Sequence, residues 1–399
     1  MVAEGAYQKA IGAVTSEDSS FNAAEQRTFA GQLLPQSSRA SDSASLPVDS
    51  IGSSAPAQTP DDSPDSDDHP LRGVRFKPLT APGPSGTRPE HAKEAFSIRQ
   101  KHIARRLSRA MLRVQQMAMN GSLPEEARWI TFTRLVLVKK KGSIVPRPVR
   151  IGEFLRSSAA KKIQKQAAPR LRPTYRKMHQ WGVEMPGGCE GLVHWRSTVE
   201  ELARSGAIPP VAIFDIDQAN MFCNVEWQEI SAVARKYYRE VVEWVDWSHK
   251  EPEKVPLPCG DEIGVNRGAG QGDVFGSALA SLSQGERVLQ HRTRMRDSRV
   301  FGCVDEWYID DGQGVVLLEH ADAWLKSLDQ AISDLGGFRK TGAECKSHAR
   351  LVCTPEFAAQ HSDWASEYIS SSCIVGCCTT SPKVLGAHVD DHRMQTWMQ

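Results

Sequence analysis

The sequence predicts an α+β fold built around a mostly antiparallel sheet. An apolar strand is predicted at 209–217 (PPVAIFDID), and the segment 304–319 (VDEWYIDDGQGVVLLE), with a turn signal inside it, predicts a β-hairpin. Long helical patterns separate and follow these two elements. The resulting order, strand, helix, helix, hairpin, helix, strand, is typical of α+β domains. No internal repeat of fixed period is present, so solenoids and propellers are excluded.

The chain is predicted to begin with a disordered leader over residues 1–85, rich in Ser, Pro, Asp and Ala. Within it, residues 41–70 contain seven Asp and no Lys or Arg. A helix is then predicted from Pro89 to Met119, because apolar residues recur at three- and four-residue spacing. Asn120-Gly121 is a typical helix end.

The next segments are rich in Lys and Arg, and two strands and a helix are predicted in them. Two strands joined by a turn at Gly142-Ser143 are followed by a helix from about Glu153 to Ala168. Residues 180–191 are predicted to form a glycine-containing loop, and a helix continues to Ser205.

The second half contains the elements around the predicted hairpin. Helices are predicted over Glu226–Trp244, Val274–Met295 and Ala321–Leu335, and residues 264–273 (GVNRGAGQGD) form a glycine-rich loop. The hairpin turn is predicted at residues 310–312 (Asp-Asp-Gly), because Asp-Gly favours tight turns.

Composition places the chain among ordinary globular proteins. Its 399 residues include 49 Lys and Arg against 48 Asp and Glu, with 40% hydrophobic residues. No apolar run is long enough to span a membrane, and the first residues lack a secretory pattern. The nine irregularly spaced cysteines favour reduced thiols. An intracellular protein is expected, with nuclear or cytoplasmic location left open.

The near-zero net charge conceals a large local imbalance. Residues 101–180 hold 20 Lys and Arg residues against 3 Asp and Glu residues, a net charge of +17. A solvated charged surface is the ordinary interpretation of such residues. An imbalance of this size over 80 residues instead favours a polyanion-binding surface.

Two acidic clusters are candidates for chemistry. Asp215 and Asp217 end the apolar strand, and Asp310 and Asp311 lie at the predicted hairpin turn. Carboxylates at strand ends can converge on Mg²⁺, which prefers oxygen ligands, and two such ions can promote phosphoryl transfer. Asp-Gly is also common turn chemistry without any metal.

Asp217, Asp310 and Asp311 belong to a set of seven segments. The segments are KKKGSIVPRPVRIGEFLRSSAAKK (139–162), QWGVEMPGGCEGLVH (180–194), DQANMFCNV (217–225), RGAGQGDVFGSALASL (267–282), YIDDG (308–312), LGGFRKTGAECK (335–346) and VLGA (384–387). In this order, and over about residues 125–390, they resemble the reverse transcriptases of non-LTR retrotransposons. YIDDG resembles the Tyr-x-Asp-Asp hairpin of that family, and VLGA its primer-grip hairpin.

The resemblance implies a right-hand polymerase with an antiparallel palm sheet that copies RNA into DNA. The fingers, with a basic N-terminal helix, would occupy 86–208 and the palm 209–399, with the thumb absent. The implied cofactor is a pair of Mg²⁺ ions, with Mn²⁺ as a substitute. The implied partners are an RNA template, a DNA primer and dNTPs, with no membrane. The oligomeric state is left open.

The resemblance assigns the metal-binding and catalytic role to Asp217, Asp310 and Asp311. The family has an aromatic residue five positions after its metal-binding Asp. Phe222 stands at that distance from Asp217, whereas Asn220 stands there from Asp215. Asp217 is therefore preferred, with Asp215 as the alternative.

By the same resemblance, Phe222 would be a steric gate against the 2′-hydroxyl, although core packing is the usual role of a Phe. Gln271 would support the incoming nucleotide. Gly272, with Gly268 and Gly270, would allow close backbone approach to it. A simple turn before a helix is the alternative interpretation of this loop.

Three basic residues complete the implied substrate site. Lys140 and Arg147 would contact the triphosphate, with Lys139 and Lys141 as alternatives to Lys140. Lys346 would position or protonate the leaving pyrophosphate, and a solvated surface lysine is the alternative.

Several features leave other functions open. The chain departs from the family at DQANMFCNV and at Val-Phe after Gln-Gly-Asp, and it ends just after the primer grip. A truncated or decayed element protein that binds RNA or DNA without catalysis is therefore the alternative function. An RNA-dependent RNA polymerase is disfavoured by the Tyr-x-Asp-Asp hairpin and the aromatic gate.

A zinc site is a further hypothesis. Cys373, Cys377, His388 and His392 have spacing near the zinc-finger pattern, but the apolar residues expected between the pairs are missing. No cysteine has the context of a catalytic nucleophile.

Overall fold

The structure is a computed structural model that describes residues 21–34, 36, 69–78, 80–140, 143–257, 260–339 and 347–369, and the backbone of 383–384 and 387–388. It divides into two compact units. The sheet unit comprises Met1–Ala3, Ala168–Val225 and Ser277–Gln399, and the ribbon unit comprises Glu4–Ala167 and Glu226–Gly276. The units thus interleave along the chain, in contrast to the expected contiguous division at residue 208.

The chain alternates helices with short antiparallel strands. The helices are α1 (Ala23–Leu33), α2 (Pro89–Phe96), α3 (Lys101–Met119), α4 (Phe154–Lys177), α5 (Gly188–Arg204), α6 (Met221–Asn224), α7 (Trp227–Tyr237), α8 (Val242–Ser248), α9 (Gly276–Asp297), α10 (Ala321–Asp334), α11 (Pro355–Gln360) and α12 (Trp364–Tyr368). The strands are β1 (Thr133–Lys140), β2 (Ser143–Gly152), β3 (Val211–Asp217), β4 (Glu253–Pro256), β5 (Glu262–Val265), β6 (Cys303–Tyr308), β7 (Asp311–Leu317), β8 (His348–Val352), β9 (Lys383–Val384) and β10 (Ala387–His388). Short 3-10 helices occupy Glu125–Thr131, Arg239–Val241 and Leu318–His320.

The sheet unit is built on a four-stranded sheet in the order β6-β7-β3-β8. Every neighbouring pair is antiparallel, which confirms the predicted mixed α and β architecture with an antiparallel sheet. β3 is central and almost wholly buried, as its apolar sequence predicts.

The two faces of β3 have different roles because side chains alternate along a strand. Phe214 and its even-numbered neighbours pack against α9 and α10, and Phe214 stacks on Trp324 at 5.0 Å. Val211 and Ile213 on the other face pack with Ala203 of α5. Asp215 and Asp217 continue this second face beyond its apolar part.

The ribbon unit contains the antiparallel pairs β1-β2 and β4-β5. It also contains α1, which begins with a capping box between Asn22 and Glu25. Arg27 of α1 pairs with Asp261. The expectation of a wholly disordered leader over 1–85 is therefore wrong at residues 23–33, because local capping and tertiary contacts stabilise a helix there.

Three predicted helices differ in extent. The expected Pro89–Met119 helix is two helices, because Ser97 ends the first by donating its hydroxyl to the Glu94 carbonyl. The predicted 226–244 helix is likewise divided into α7 and α8. α4 extends to Lys177 despite two internal prolines, and buried Leu171 and Tyr175 anchor this extension.

No helix within the described ranges combines the length and the apolar character that crossing a membrane requires.

Candidate active site

Two of the candidate carboxylates are direct cross-strand neighbours in the sheet unit. Asp217 ends β3 and Asp311 begins β7, and the two residues are register partners. Side chains of such partners lie on the same face, with Cβ atoms about 4.5–5.5 Å apart. The backbone amide of Asp217 donates to Ser347 Oγ at 3.0 Å, which ties this end of β3 to the β8 side. The fold therefore brings both carboxylates to one corner of the sheet.

Asp310 occupies the turn beside this pair. Tyr308 pairs with Asp311, so the two turn residues are Ile309 and Asp310. The predicted hairpin is present, but the expected turn at 310–312 is wrong because Asp311 and Gly312 belong to β7. Gly312 is needed in the strand, since a Cβ there would lie 2.5 Å from the Trp307 ring.

Asp215 is engaged in a buried ion-pair network. Arg196, fully buried on α5, donates to both carboxylate oxygens of Asp215 at 3.0 and 3.3 Å. Arg196 also donates to Glu200 at 2.8 Å, and Glu200 pairs further with Arg350. Two adjacent carboxylates on one face of β3 thus differ in surroundings, and Asp215 has a permanent cationic partner.

The corner at Asp217 and Asp311 suits a cation. Two carboxylates that lie side by side on one face of a sheet are oxygen donors of the kind that Mg²⁺ prefers. Among the described residues, no group of three or more His, Cys, Asp or Glu side chains is arranged to hold a metal ion. Magnesium is commonly held by one or two carboxylates with substrate phosphates as further ligands, so this donor set fits Mg²⁺.

Phe222 lies in the sheet unit shortly after Asp217. Asn220, with φ of 46°, turns the chain into the short helix α6. Met221 and Cys223 are buried, whereas Phe222 between them is half-buried. Its ring is therefore placed differently from the core residues on either side of it.

Gln271 and Gly272 belong to a loop of the ribbon unit that is fixed to β2. The Arg150 amide donates to the Gln271 carbonyl at 2.7 Å. Gly272 has φ of 104°, and a Cβ there would lie 2.8 Å from the Arg150 carbonyl oxygen. Glycine is therefore required by both backbone conformation and close approach. Asp273 accepts from the Phe275 amide at 2.8 Å and from Arg156, which fixes the end of the loop.

The predicted triphosphate contacts lie on the β1-β2 hairpin of the ribbon unit. Arg147 is exposed on β2 between buried Pro146 and Pro148. Lys140 ends β1 and pairs with Ser143 through the backbone.

The remaining predicted ligands lie largely outside the described residues. Lys346 is one of them, together with Cys373, Cys377 and His392 of the zinc hypothesis. His388 is described only as a backbone position in β10.

Two arginines emerge that the sequence did not single out. Arg196 holds Asp215 from 19 residues away, and only the packing of α5 on the sheet brings them together. Buried Arg150 pairs with Glu253 at 3.3 Å and adjoins Gly270, where a Cβ would lie 2.7 Å from its guanidinium. The one sequence signal was the i, i+4 spacing of Arg196 and Glu200 on a predicted helix.

No family model matches the sequence, and no curated protein matches it. Among solved structures, the chain is similar to an apo telomerase from Candida tropicalis truncated from its C-terminal domain, at 11% identity and a TM-score of 0.38. The match covers 56% of this chain and 50% of that chain, so it spans half of the telomerase structure. At this level the likeness assigns neither a family nor an activity.

Proposed function

We propose that this chain is an RNA-directed DNA polymerase of the non-LTR retrotransposon type, which adds dNTPs to a primer 3′-hydroxyl on an RNA template. The observation that carries the proposal is the cross-strand pair of Asp217 and Asp311, with Asp310 in the adjoining turn. Seven sequence segments in the order of that family support it, because their acidic segments meet at one corner of the sheet.

By the resemblance, Asp217, Asp310 and Asp311 would hold two Mg²⁺ ions, which would activate the primer hydroxyl and stabilise the leaving pyrophosphate. Asp217 and Asp311 are the direct cross-strand neighbours among them. Asp215 is a poorer ligand because Arg196 occupies both of its oxygens. The ion-pair network therefore supports Asp217 as the metal-binding residue of β3.

Substrate selection is assigned to Phe222, whose half-buried ring would meet the 2′-hydroxyl of a ribonucleotide. Its exposure relative to Met221 and Cys223 supports this role over core packing. The roles of Lys140, Arg147, Gln271, Gly272 and Lys346 in binding the nucleotide rest on the resemblance alone.

The test is primer extension on an RNA template with dNTPs and Mg²⁺. We expect extension by the natural chain and a loss of about a thousandfold or more in Asp217→Asn and Asp310→Asn, since metal-assisted charge stabilisation contributes several kcal/mol. Asp297→Asn is the matched control, because Asp297 is exposed at the end of α9. It should extend normally.

Two outcomes would count against the proposal. Equal extension by the Asp217 variant and the control would exclude a catalytic role for this corner. Template–primer binding without extension by the natural chain would support the non-catalytic binding alternative.

A further inference from the structure

A four-residue strap, residues 179–182, lies along the outer edge of β6 in the sheet unit. The Trp181 amide donates to the Trp307 carbonyl at 2.8 Å, and the Trp307 amide donates to the His179 carbonyl at 2.9 Å. Gln180 and Trp307 form a parallel β-bridge. The strap therefore extends the sheet next to the strand that leads into the turn carrying Asp310.

The turn itself contains an uncommon backbone conformation. Ile309 has φ of 59°, in the left-handed region that β-branched residues rarely adopt. It is the first residue of a two-residue hairpin turn, a position that usually takes glycine when φ is positive. Such a conformation costs about 1–3 kcal/mol and persists only where surrounding contacts enforce it.

The side chain of Gln180 supplies those contacts. Its Nε2 donates to the Ile309 carbonyl at 3.0 Å, and its Oε1 accepts from the Ile309 amide at 2.7 Å. Oε1 also accepts from the Gly182 amide at 3.1 Å, and Nε2 donates to Gln284 Oε1 at 3.2 Å. The residue is 1% exposed, so these hydrogen bonds form away from water, where losing them is costly.

The absence of a side chain at Gly182 allows the strap to pack directly against the turn. A Cβ at Gly182 would lie 2.6 Å from Ile309 Cγ1 and 2.7 Å from its backbone nitrogen. The turn is therefore bound on both backbone groups of one residue and packed against a glycine.

We propose that Gln180 is a positioning residue that holds Ile309 in its left-handed conformation and thereby fixes the carboxylates of Asp310 and Asp311. Its role rests on the proposed polymerase function, because those carboxylates are the ones assigned to the metal ions. Gln180 hydrogen-bonds to the backbone of Ile309 and acts through the backbone of the turn.

The test uses three variants of the full chain: Gln180→Leu, Ile309→Gly and the double variant. Gln180→Leu should lower kcat and raise the Mg²⁺ concentration for half-maximal rate, each by roughly tenfold, the order expected for losing buried hydrogen bonds. Glycine adopts positive φ without restraint, so Ile309→Gly in the Gln180→Leu background should recover most of the lost rate. A merely structural glutamine would show no such rescue.

Gln115→Leu is the matched control. Gln115 is also buried, at 5% exposure, and donates to Ser158 Oγ at 2.6 Å in the ribbon unit. It should leave the Mg²⁺ dependence unchanged, even where it lowers the melting temperature. A Gln180→Leu variant with natural Mg²⁺ dependence, or a double variant without rescue, would overturn the positioning role.

Amide hydrogen exchange provides a readout independent of activity. Exchange at residues 308–311 should accelerate in Gln180→Leu, while the β1-β2 hairpin remains unchanged. If the natural chain extends no primer, the proposed function fails, and exchange alone decides whether Gln180 restrains the turn. Unchanged exchange there would overturn the restraint in either case.

Discussion

Asp215 and Asp217 show how two identical residues on one strand face acquire different properties. Asp215 neutralises fully buried Arg196, whereas Asp217 faces Asp311 across the sheet. Asp215 therefore contributes to the buried ion-pair network, whereas Asp217 is placed beside a second carboxylate at the corner of the sheet.

Asn substitutions should separate these two roles. Asp215→Asn should lower the free energy of unfolding by about 1–3 kcal/mol, because Arg196 loses a charged partner but keeps Glu200. Asp217→Asn should leave stability unchanged or slightly raised while abolishing primer extension. Urea unfolding and extension assays measure both, and the opposite pattern would reverse the assignment of the two residues.

Phe222 gives a prediction about sugar selection. Phe222→Ala should raise the incorporation of ribonucleotides relative to deoxynucleotides by roughly tenfold or more, since a methyl-sized side chain leaves room for the 2′-hydroxyl. Competition between rNTPs and dNTPs in primer extension measures the ratio. Phe301→Ala is the control, because Phe301 is 62% exposed and precedes β6, at the end of that strand opposite the turn carrying Asp310. If the ratio of ribonucleotide to deoxynucleotide incorporation is unchanged in Phe222→Ala, Phe222 contributes only to packing.

Residue spacing was sufficient to prefer Asp217, but not to explain why Asp215 differs from it. The spacing argument used Phe222, Asn220 and Val225, which are all near Asp217 in sequence. The Arg196 partner depends on how α5 packs on β3, and no periodicity within either segment encodes that contact. Similarly, Ile309 gave no sequence sign of positive φ, because its conformation is imposed by Gln180.

At the scale of elements, sequence pattern located β1, β2, β3 and the β6-β7 hairpin, whereas β4 and β5 were not predicted. Tertiary contacts set where the predicted strands end. The 304–319 hairpin was predicted, but turn preference placed Asp-Gly at its tip. Trp307 and Trp324 instead cover Gly312 and Gly314 within β7, so these glycines are strand residues selected by ring packing. The packing of the two indole rings, and not the turn propensity of Asp-Gly, therefore determines where these glycines lie.

Gly314 allows a test of this packing. A Cβ there would lie 2.4 Å from the Trp324 ring, so Gly314→Ala should destabilise the fold by about 1–3 kcal/mol through overpacking. Gly191→Ala in α5 is the control, since its Cβ would meet nothing within 4 Å. Alanine is the better helix former, so this control should stabilise by up to about 1 kcal/mol. Equal melting temperatures for the two variants would contradict the packing argument.

At the scale of the whole molecule, part of the positive charge of residues 101–180 lies on the exposed surface of α3. α3 contains no Asp or Glu, and its basic side chains lie in the exposed part of the helix. These exposed residues are Lys101, Arg105, Arg106, Arg109 and Arg113. A helix with this charge and exposure favours binding to a nucleic-acid backbone.

Salt dependence should reveal this surface. Template affinity should fall steeply with salt, and replacing Arg105, Arg106 and Arg109 by Gln should reduce the log–log slope by up to about 2 for a single strand. Gln replacements of Lys250 and Lys254 provide a control, because these exposed lysines pair with acids in the ribbon unit. A slope unchanged by the arginine replacements would place the phosphate contacts elsewhere.

Acid stability is the second whole-molecule property, and His291 of α9 should contribute to it. Burial lowers the pKa of His291 to about 4, with Arg294 and Arg292 adding to the effect and Asp305 opposing it. Its Nδ1 lies 2.9 Å from Ser327 Oγ on α10. Below pH of about 6.5 the unfolded chain protonates this imidazole while the folded chain does not, so stability falls as pH falls towards 4.

His291→Gln should remove this component of the acid response. The natural chain should lose at most about 3 kcal/mol through His291 between pH 6.5 and 4, and the variant should lose correspondingly less over the same window. Melting temperatures measured across this range give the comparison. Parallel curves for His291→Gln and the natural chain would show that the folded protein already accepts a proton at this buried site, contrary to the lowered pKa.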